Sequence, residues 1–323
     1  MQYESSFKYE CGTKHEKFLI ECKENLLSTK TKYQAIDIFD THNWGKVLLL
    51  NGLVQSAQLD EHRYHEALVH PAMTAHENPQ NILIIGGGEG ATAREVLKHP
   101  SVQRCVMVDI DGELLEHCEK HLPEWHKNSF SDPRLELVIG DGLEYVVNCS
   151  EIFDVVIIDV CDGFDEDSPT KEFFTPTLFR KVKRILEIKG IIVYQAMCAS
   201  VNENESFIEV YDGIDNVFTF TKPYATYIPS FWSEWGFVIA SDVHNIKTLS
   251  PLKISQTLKH RKLADKLRFF DEETMLNMFS LPKDLRQELD TRTHEKPKQK
   301  QKEEDRKPSD EVNIEATLAL AAI

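Results

Sequence analysis

An apolar run that stops at a cluster of glycines and resumes as a helix-forming segment leaves few folds open. The chain has one at Asn81-Ile-Leu-Ile-Ile-Gly86-Gly87-Gly88-Glu89-Gly90-Ala91-Thr-Ala-Arg-Glu95. Glycines at 86, 88 and 90 let the backbone turn tightly and approach a ligand, and Ala91 to His99 offers a helix N-terminus just beyond. From the glycines alone an ordinary strand-to-helix turn reads the same way. Glu89 narrows the nucleotide reading: a carboxylate on that rim repels a pyrophosphate and attracts a cationic ligand, which points away from dinucleotides.

From residue 81 onward strands alternate with helices. Strands are expected at 81–85, 104–109, 135–139 and 154–159, with helices at 91–99, 111–121 and 174–188, the last ending at Gly190 before a strand at Ile191–Gln195. Such alternation builds a parallel, doubly wound sheet. A helix at Glu203–Val217 and strands near 219–227 and at Gly236–Ser241 complete the domain, the last two reading as an antiparallel hairpin. Upstream, Lys17–Cys22, Tyr33–Phe39 and Lys46–Leu50 with the Asn51-Gly52 turn read as a small antiparallel β-domain over residues 1–60, joined on by a helix from Asp60 to His76. The second domain is expected over 61–289, with helices at 250–289 covering one side of its sheet. Residues 290–323 read as a disordered tail, because Thr291–Val312 is rich in Lys, Glu, Gln and Pro and nearly devoid of large apolar side chains.

In an open parallel sheet the ligand sits beyond the carboxyl ends of the strands, so acids recurring there are read together. Successive ends carry Glu89, then Asp109 and Asp111, then Asp141 beside Gly142, then Asp159 and Asp162. Asp109 follows Gly90 by about 20 residues, the position from which a carboxylate hydrogen-bonds both hydroxyls of a ribose. Asp111 reads as a helix cap. Asp141 resembles the acid that accepts from an adenine amino group, with a turn aspartate as the alternative. Gly86 and Gly88, Asp109, Asp141 and Gly142 together describe the nucleoside site of the Rossmann-like S-adenosylmethionine-dependent class, for which methyl transfer is the default chemistry. The acids at 159 and 162, with Glu89 facing the same mouth, favour a polyamine instead.

The charge agrees with that substrate. Acidic residues number 53 against 37 basic, and a formal charge of −16 disfavours nucleic acid, although a solvated acidic surface gives the same total. Seven cysteines without a C-x-x-C provide no disulfide framework and fit a cytoplasmic setting. No segment has the pattern of a secretion signal or the length of a membrane span. His62, His65, His70 and His76 share no known ligand spacing, so no metal is expected.

With Gly52-Leu-Val-Gln55-Ser, Tyr64-His65-Glu66, Gly86-Gly-Gly-Glu-Gly90, Asp109-Ile-Asp111, Gly140-Asp-Gly142, Asp159-Val-Cys-Asp162, Tyr194-Gln195 and Ile228-Pro-Ser-Phe231 in place, the chain resembles the polyamine aminopropyltransferases. The likeness runs from about residue 10 to 285. Such enzymes transfer an aminopropyl group from decarboxylated S-adenosylmethionine, a co-substrate rather than a cofactor, to an amine, and release methylthioadenosine. The Gly-Glu-Gly-Ala-Thr run, Tyr64-His65-Glu66 and Pro123-Glu-Trp-His-Lys-Asn128 look like the thermospermine synthase type, which favours an acceptor longer than putrescine. In spermidine synthases a glutamine usually stands where His65 does.

The resemblance implies Asp159 as the base and Tyr64 as the group orienting the attacking nitrogen. Glu89 and Asp162 would hold ammonium ends, and Gln55 the donor's tail. His65 is implied in the amine-binding region, and a homodimer is the family expectation. Gln195 fits either the nucleoside edge or plain packing. Trp232 is expected to wall the acceptor channel, and Trp235 to pack the sheet. One departure is Gly163 where the family has proline, which frees the backbone of the loop after Asp162. A methyltransferase and a catalytically silent relative remain as other readings.

Overall fold

A computed structural model of the chain describes residues 7–11, 17–161, 173, 175–245 and 250–295, with 7–11 and 292–295 described through their backbone only. Five antiparallel strands come first, as a meander in sequence order: β1 (Phe7–Cys11), β2 (Phe18–Lys30), β3 (Ala35–Thr41), β4 (Gly45–Leu50) and β5 (Leu53–Ala57). β2 runs well past the segment its sequence marks. Register shifts between Cys22 and Glu24 and between Asn25 and Leu27 break the alternation that would have revealed its second half.

Helix α1 (Glu61–Ala75) then leads into a seven-stranded sheet. Its strands are β6 (Asn81–Gly86), β7 (Arg104–Asp109), β8 (Leu135–Ile139), β9 (Phe153–Asp159), β10 (Leu186–Cys198), β11 (Phe220–Ile228) and β12 (Ser233–Ser241). They lie in the order β11-β12-β10-β9-β6-β7-β8, parallel from β10 to β8, with β12 antiparallel to both neighbours. The order reverses between β6 and β9, and a crevice opens at such a switch point. β6 and β9 are apolar throughout their middles because both faces are covered.

One face buries Ile82, Ile84, Val155 and Ile157 against α1, α2 (Ala91–Leu97), α8 (Pro251–His260) and α9 (Glu272–Met278). The other buries Leu83, Ile85, Val156 and Ile158 with α5 (Gly142–Asn148), α6 (Pro176–Ile185), α7 (Glu205–Asp215) and α10 (Lys283–Glu295). The C-terminal helices therefore cover both faces rather than one: Ile254, Leu258, Met275 and Met278 serve the first, Leu285 and Leu289 the second. α3 (Gly112–His121) and α4 (Pro123–His126) complete the helices.

Two boundaries differ from the sequence reading. The helix expected to reach residue 188 ends at Ile185, because Leu186 already pairs with Phe153 of β9; Gly190 sits inside β10 beside a register shift, and its carbonyl accepts from Ser241. α10 runs through Thr291–Glu295, which composition assigned to the tail. Residues 296–323 lie outside the described residues. Among the described residues no helix is long and apolar enough to cross a membrane.

Candidate active site

The carboxyl ends of β6, β7, β8 and β9 face the rim of the small sheet across a cleft of about 1260 Å³, mouth included. Gly86, Gly88, Glu89, Asp109, Asp141, Gly142, Asp159 and Gln195 line it from the large domain, and Tyr33, Gln34, Asn51, Val54 and Gln55 from the small one. The glycine loop is fastened to the end of β9. Gly87 donates its amide to the Asp159 carbonyl at 3.0 Å, and Gly86, at φ +83°, comes so close that a Cβ there would lie 2.1 Å from that oxygen. Gly90, at φ +75°, is crowded by Phe130 and His126. The Pro123-Glu-Trp-His run thus buttresses the loop from behind, with Trp125 fully buried and donating to Ser56 at 2.6 Å.

Asp109 ends β7 with its side chain buried beside Gly88, and its Oδ1 accepts the Asp111 amide at 2.9 Å. Burial, reinforced by the negative charges of Asp111, Glu89 and Asp159, pushes its carboxyl up to about 7. Asp111 caps α3 through Leu114 and also accepts from Thr31 at 2.7 Å and Gln34 at 3.0 Å, which clamps the small domain to the large one. Asp141 caps α5 through the amides of Leu143 and Glu144 while lining the cleft. Asp111 is the cap that its position suggests, and Asp141 both caps a helix and lines the cleft.

Tyr64 of α1 donates to Asp159 Oδ1 at 2.6 Å, and Thr92, in the first turn of α2, donates to Oδ2 at 2.5 Å. Burial and the Glu89 charge raise the Asp159 carboxyl above the usual range, against the His65 charge and the two hydroxyl hydrogen bonds. Each carboxylate oxygen retains a lone pair after accepting one hydrogen bond, so the group can still take a proton.

His65 does not line the cleft. It is 1% exposed and stands behind Glu89, with Nε2 3.1 Å from Glu89 Oε1 and Nδ1 2.9 Å from Glu61 Oε2. The expectation that it meets the amine is corrected, because successive helix residues diverge by about 100° and Tyr64 takes the cleft-facing direction. The two tryptophans exchange places as well. Trp235 lines the cleft and donates to Gln195 at 3.2 Å, whereas Trp232, at φ +52° after the turn Pro229–Phe231, points away and stacks on Phe18 at 4.1 Å. Gln195 also donates to the Val160 carbonyl at 2.5 Å. Asp162 and the loop after it lie outside the described residues.

Several groups around the cleft had no reading from the sequence. Thr92 stands in the glycine-loop motif without a role read for it, and the rim residues Tyr33 and Gln34 belong to no motif. Glu66 accepts the amides of Arg268, Phe269 and Phe270, so the Tyr-His-Glu triplet also anchors the segment before α9. A further signal was available for Glu61, one helical turn before His65. The four upstream histidines are dispersed: His70 bonds Glu95 and His99, and His76 bonds Glu187. His76, Asp154 and Glu187 do bring one possible ligand atom each within 4.8 Å of one another, but His76 Nδ1 accepts the Asn78 amide and Asp154 accepts those of Gln80 and Asn81.

The chain is similar to known proteins in sequence and in fold. A family described as "Spermine/spermidine synthase domain" matches residues 61–250, and one described as "Spermidine synthase tetramerisation domain" matches residues 8–58. Polyamine aminopropyltransferase 2 of Hyperthermus butylicus is 43% identical over 295 residues, covering 90% of this chain and 96% of that protein. The polyamine aminopropyltransferase of Sulfurisphaera tokodaii is 43% identical over 261 residues, 81% of this chain and 85% of that one. A spermidine synthase solved in complex with the transition-state analogue AdoDATO superposes with a TM-score of 0.82 at 30% identity, covering 90% of this chain and 98% of that one. The spermidine synthase of Thermotoga maritima gives 0.79 at 30% identity, with 90% and 97% covered.

Proposed function

The chain belongs to the spermine/spermidine synthase family, and we propose that it transfers the aminopropyl group of decarboxylated S-adenosylmethionine to spermidine, giving thermospermine and methylthioadenosine. The observation that carries aminopropyl transfer is the hydrogen-bonded Tyr64–Asp159 pair, which lines one cleft with Glu89, Asp109 and Asp141. The donor is consumed as a co-substrate. Asp109 takes the ribose hydroxyls, Asp141 and Gly142 the adenine side, Gly86 and Gly88 the rest of the nucleoside, and Gln55 the donor's tail. Glu89 receives the aminopropyl ammonium. Ordinary S-adenosylmethionine carries a carboxylate there, which Glu89 repels, and this disfavours methyl transfer.

The acceptor nitrogen attacks the carbon bonded to the sulfonium; an N–C bond forms, the C–S bond breaks, and sulfur leaves as a neutral thioether. The nitrogen must first lose a proton. An alkylammonium ordinarily titrates near 10.4, so reaching the neutral amine at pH 7 costs about 4.6 kcal/mol. Asp159 accepts that proton, and its raised affinity for one narrows the gap. Holding nitrogen, carbon and sulfur in line contributes more, roughly 7 to 11 kcal/mol in favourable cases. Gln195, Phe231 and Trp235 wall the acceptor side, and Asp162 is assigned the far ammonium.

The likeness to solved spermidine synthases favours a second acceptor, putrescine. Incubation with decarboxylated S-adenosylmethionine and putrescine, agmatine or spermidine, followed by separation of the amines, distinguishes the two. Thermospermine from spermidine is the expected product; spermidine from putrescine supports the second reading, and nucleoside release without amine extension rejects both. In the same assay Asp159→Asn should lower turnover about 1000-fold while donor affinity stays nearly unchanged, and an undiminished rate would remove Asp159 as the base. We also propose that the chain works as a homodimer or a larger assembly, which light scattering on the purified protein would test.

A further inference from the structure

Behind Glu89 lies a buried line of ionic groups that never reaches the cleft. His65 has carboxylate oxygens at both ring nitrogens, Glu61 Oε2 at 2.9 Å and Glu89 Oε1 at 3.1 Å. Carboxylates accept only, so a ring that serves both must carry both protons and be an imidazolium. Glu61, 6% exposed, is itself gripped by Arg94, whose Nη2 and Nη1 donate to its two oxygens at 2.8 and 3.1 Å. Arg94 also donates to Glu95 at 2.7 Å and to the Trp125 carbonyl, which fixes it between α2 and α4.

We propose that Glu61 is a positioning residue for the donor: it holds His65 as a cation, and His65 in turn fixes the Glu89 carboxylate in the wall of the cleft. The inference rests on the reading that Glu89 receives the donor's ammonium. The charged and titratable groups facing His65 are Glu61 and Tyr64 of α1, Glu89 of the glycine loop, Arg94 of α2 through Glu61, and Asp159 of β9. Burial alone would depress the imidazole, but the hydrogen bonds and charges of Glu61 and Glu89 overcome it and hold His65 up at about 10. Without the Glu61 charge His65 loses its second proton closer to neutrality. Nδ1 then keeps its proton on the Glu61 carbonyl, 2.7 Å away, and Nε2 turns a lone pair toward Glu89. Glu89 is released, and donor affinity falls as pH rises through the lowered His65 titration, a loss that wild type does not show there.

The test is made on the full-length protein with isotope-labelled histidine, the His65 resonance being assigned by its loss in His65→Gln. Wild-type His65 should remain an imidazolium through pH 9, and Glu61→Gln, which is isosteric, should lower its titration by about 1 unit or more. Across that titration the donor KM of Glu61→Gln should rise about 10-fold with kcat unchanged, while Glu61→Asp, which keeps the charge, should behave as wild type. His65→Gln should raise the donor KM at every pH without any loss of affinity as pH rises above about 8, and this variant decides the matter if Glu61→Gln does not fold. A wild-type His65 that titrates at its ordinary value, a donor KM in Glu61→Gln that does not rise relative to wild type as His65 loses its proton, or one in His65→Gln that does rise above about pH 8, overturns the proposal. The titration needs no turnover, so an inactive wild type would defeat the proposed function and leave this inference to be judged on His65 alone.

Discussion

Asp109 marks both how far spacing reaches and where it stops. Its place at the end of β7, a fixed interval after the glycines, identifies it as a ribose ligand candidate from sequence alone. Its protonation could not be read in that way, because burial and the charges of Asp111, Glu89 and Asp159 come together only in the fold. Ribose hydroxyls donate to the ionised carboxylate, and Asp109 titrates near 7, so nucleoside binding should strengthen as pH rises through that value. From pH 6 to 8 the affinity for methylthioadenosine should increase roughly 10-fold by calorimetry, and Asp109→Asn should abolish the dependence. A flat profile in wild type would mean that Asp109 is already ionised at pH 6. His65 and Trp232 illustrate the complementary limit. Motif position put both in the acceptor region, yet helix phase turns His65 behind Glu89, and one left-handed residue turns Trp232 onto Phe18.

Helix α1 distributes its motif over three directions: Tyr64 to Asp159, His65 to Glu61 and Glu89, and Glu66 to the amides of residues 268–270. It also carries Pro71 in its interior, where proline deprives the Ala67 carbonyl of its helical partner. Tyr224 of β11 supplies the missing donor at 2.9 Å, fully buried and stacked on Phe237 and Phe279. Tyr224→Phe should therefore cost about 1 to 3 kcal/mol in urea denaturation, the penalty for a buried carbonyl left unpaired. Unchanged stability would show that Ala67 finds another donor. The hydrophobic runs of β6, β7 and β9 were plain in the sequence because each is buried on both faces. The start of β10 was hidden, since the helical pattern before Gly190 yields to pairing of Leu186 with Phe153, a contact remote in sequence.

In the whole molecule the order reversal between β6 and β9 opens the crevice, and the small sheet closes it. Thr31 and Gln34 lock that sheet onto Asp111, so Tyr33, Asn51 and Gln55 stand opposite the strand ends. The alternation of strands and helices already implied the crevice, but nothing local to residues 31–34 implied the clamp. The chain's negative charge gains meaning only through placement, with Glu89 held by His65 in the wall of the cleft and Asp159 held by Tyr64 and Thr92. If this arrangement selects a cationic donor, Glu89 must matter to the donor's ammonium and not to the nucleoside. Calorimetry of Glu89→Gln with decarboxylated S-adenosylmethionine and with methylthioadenosine measures that difference directly. Donor affinity should fall about 10-fold or more, with the nucleoside product changed by less than about 2-fold; equal losses for the two ligands would contradict donor selection by Glu89.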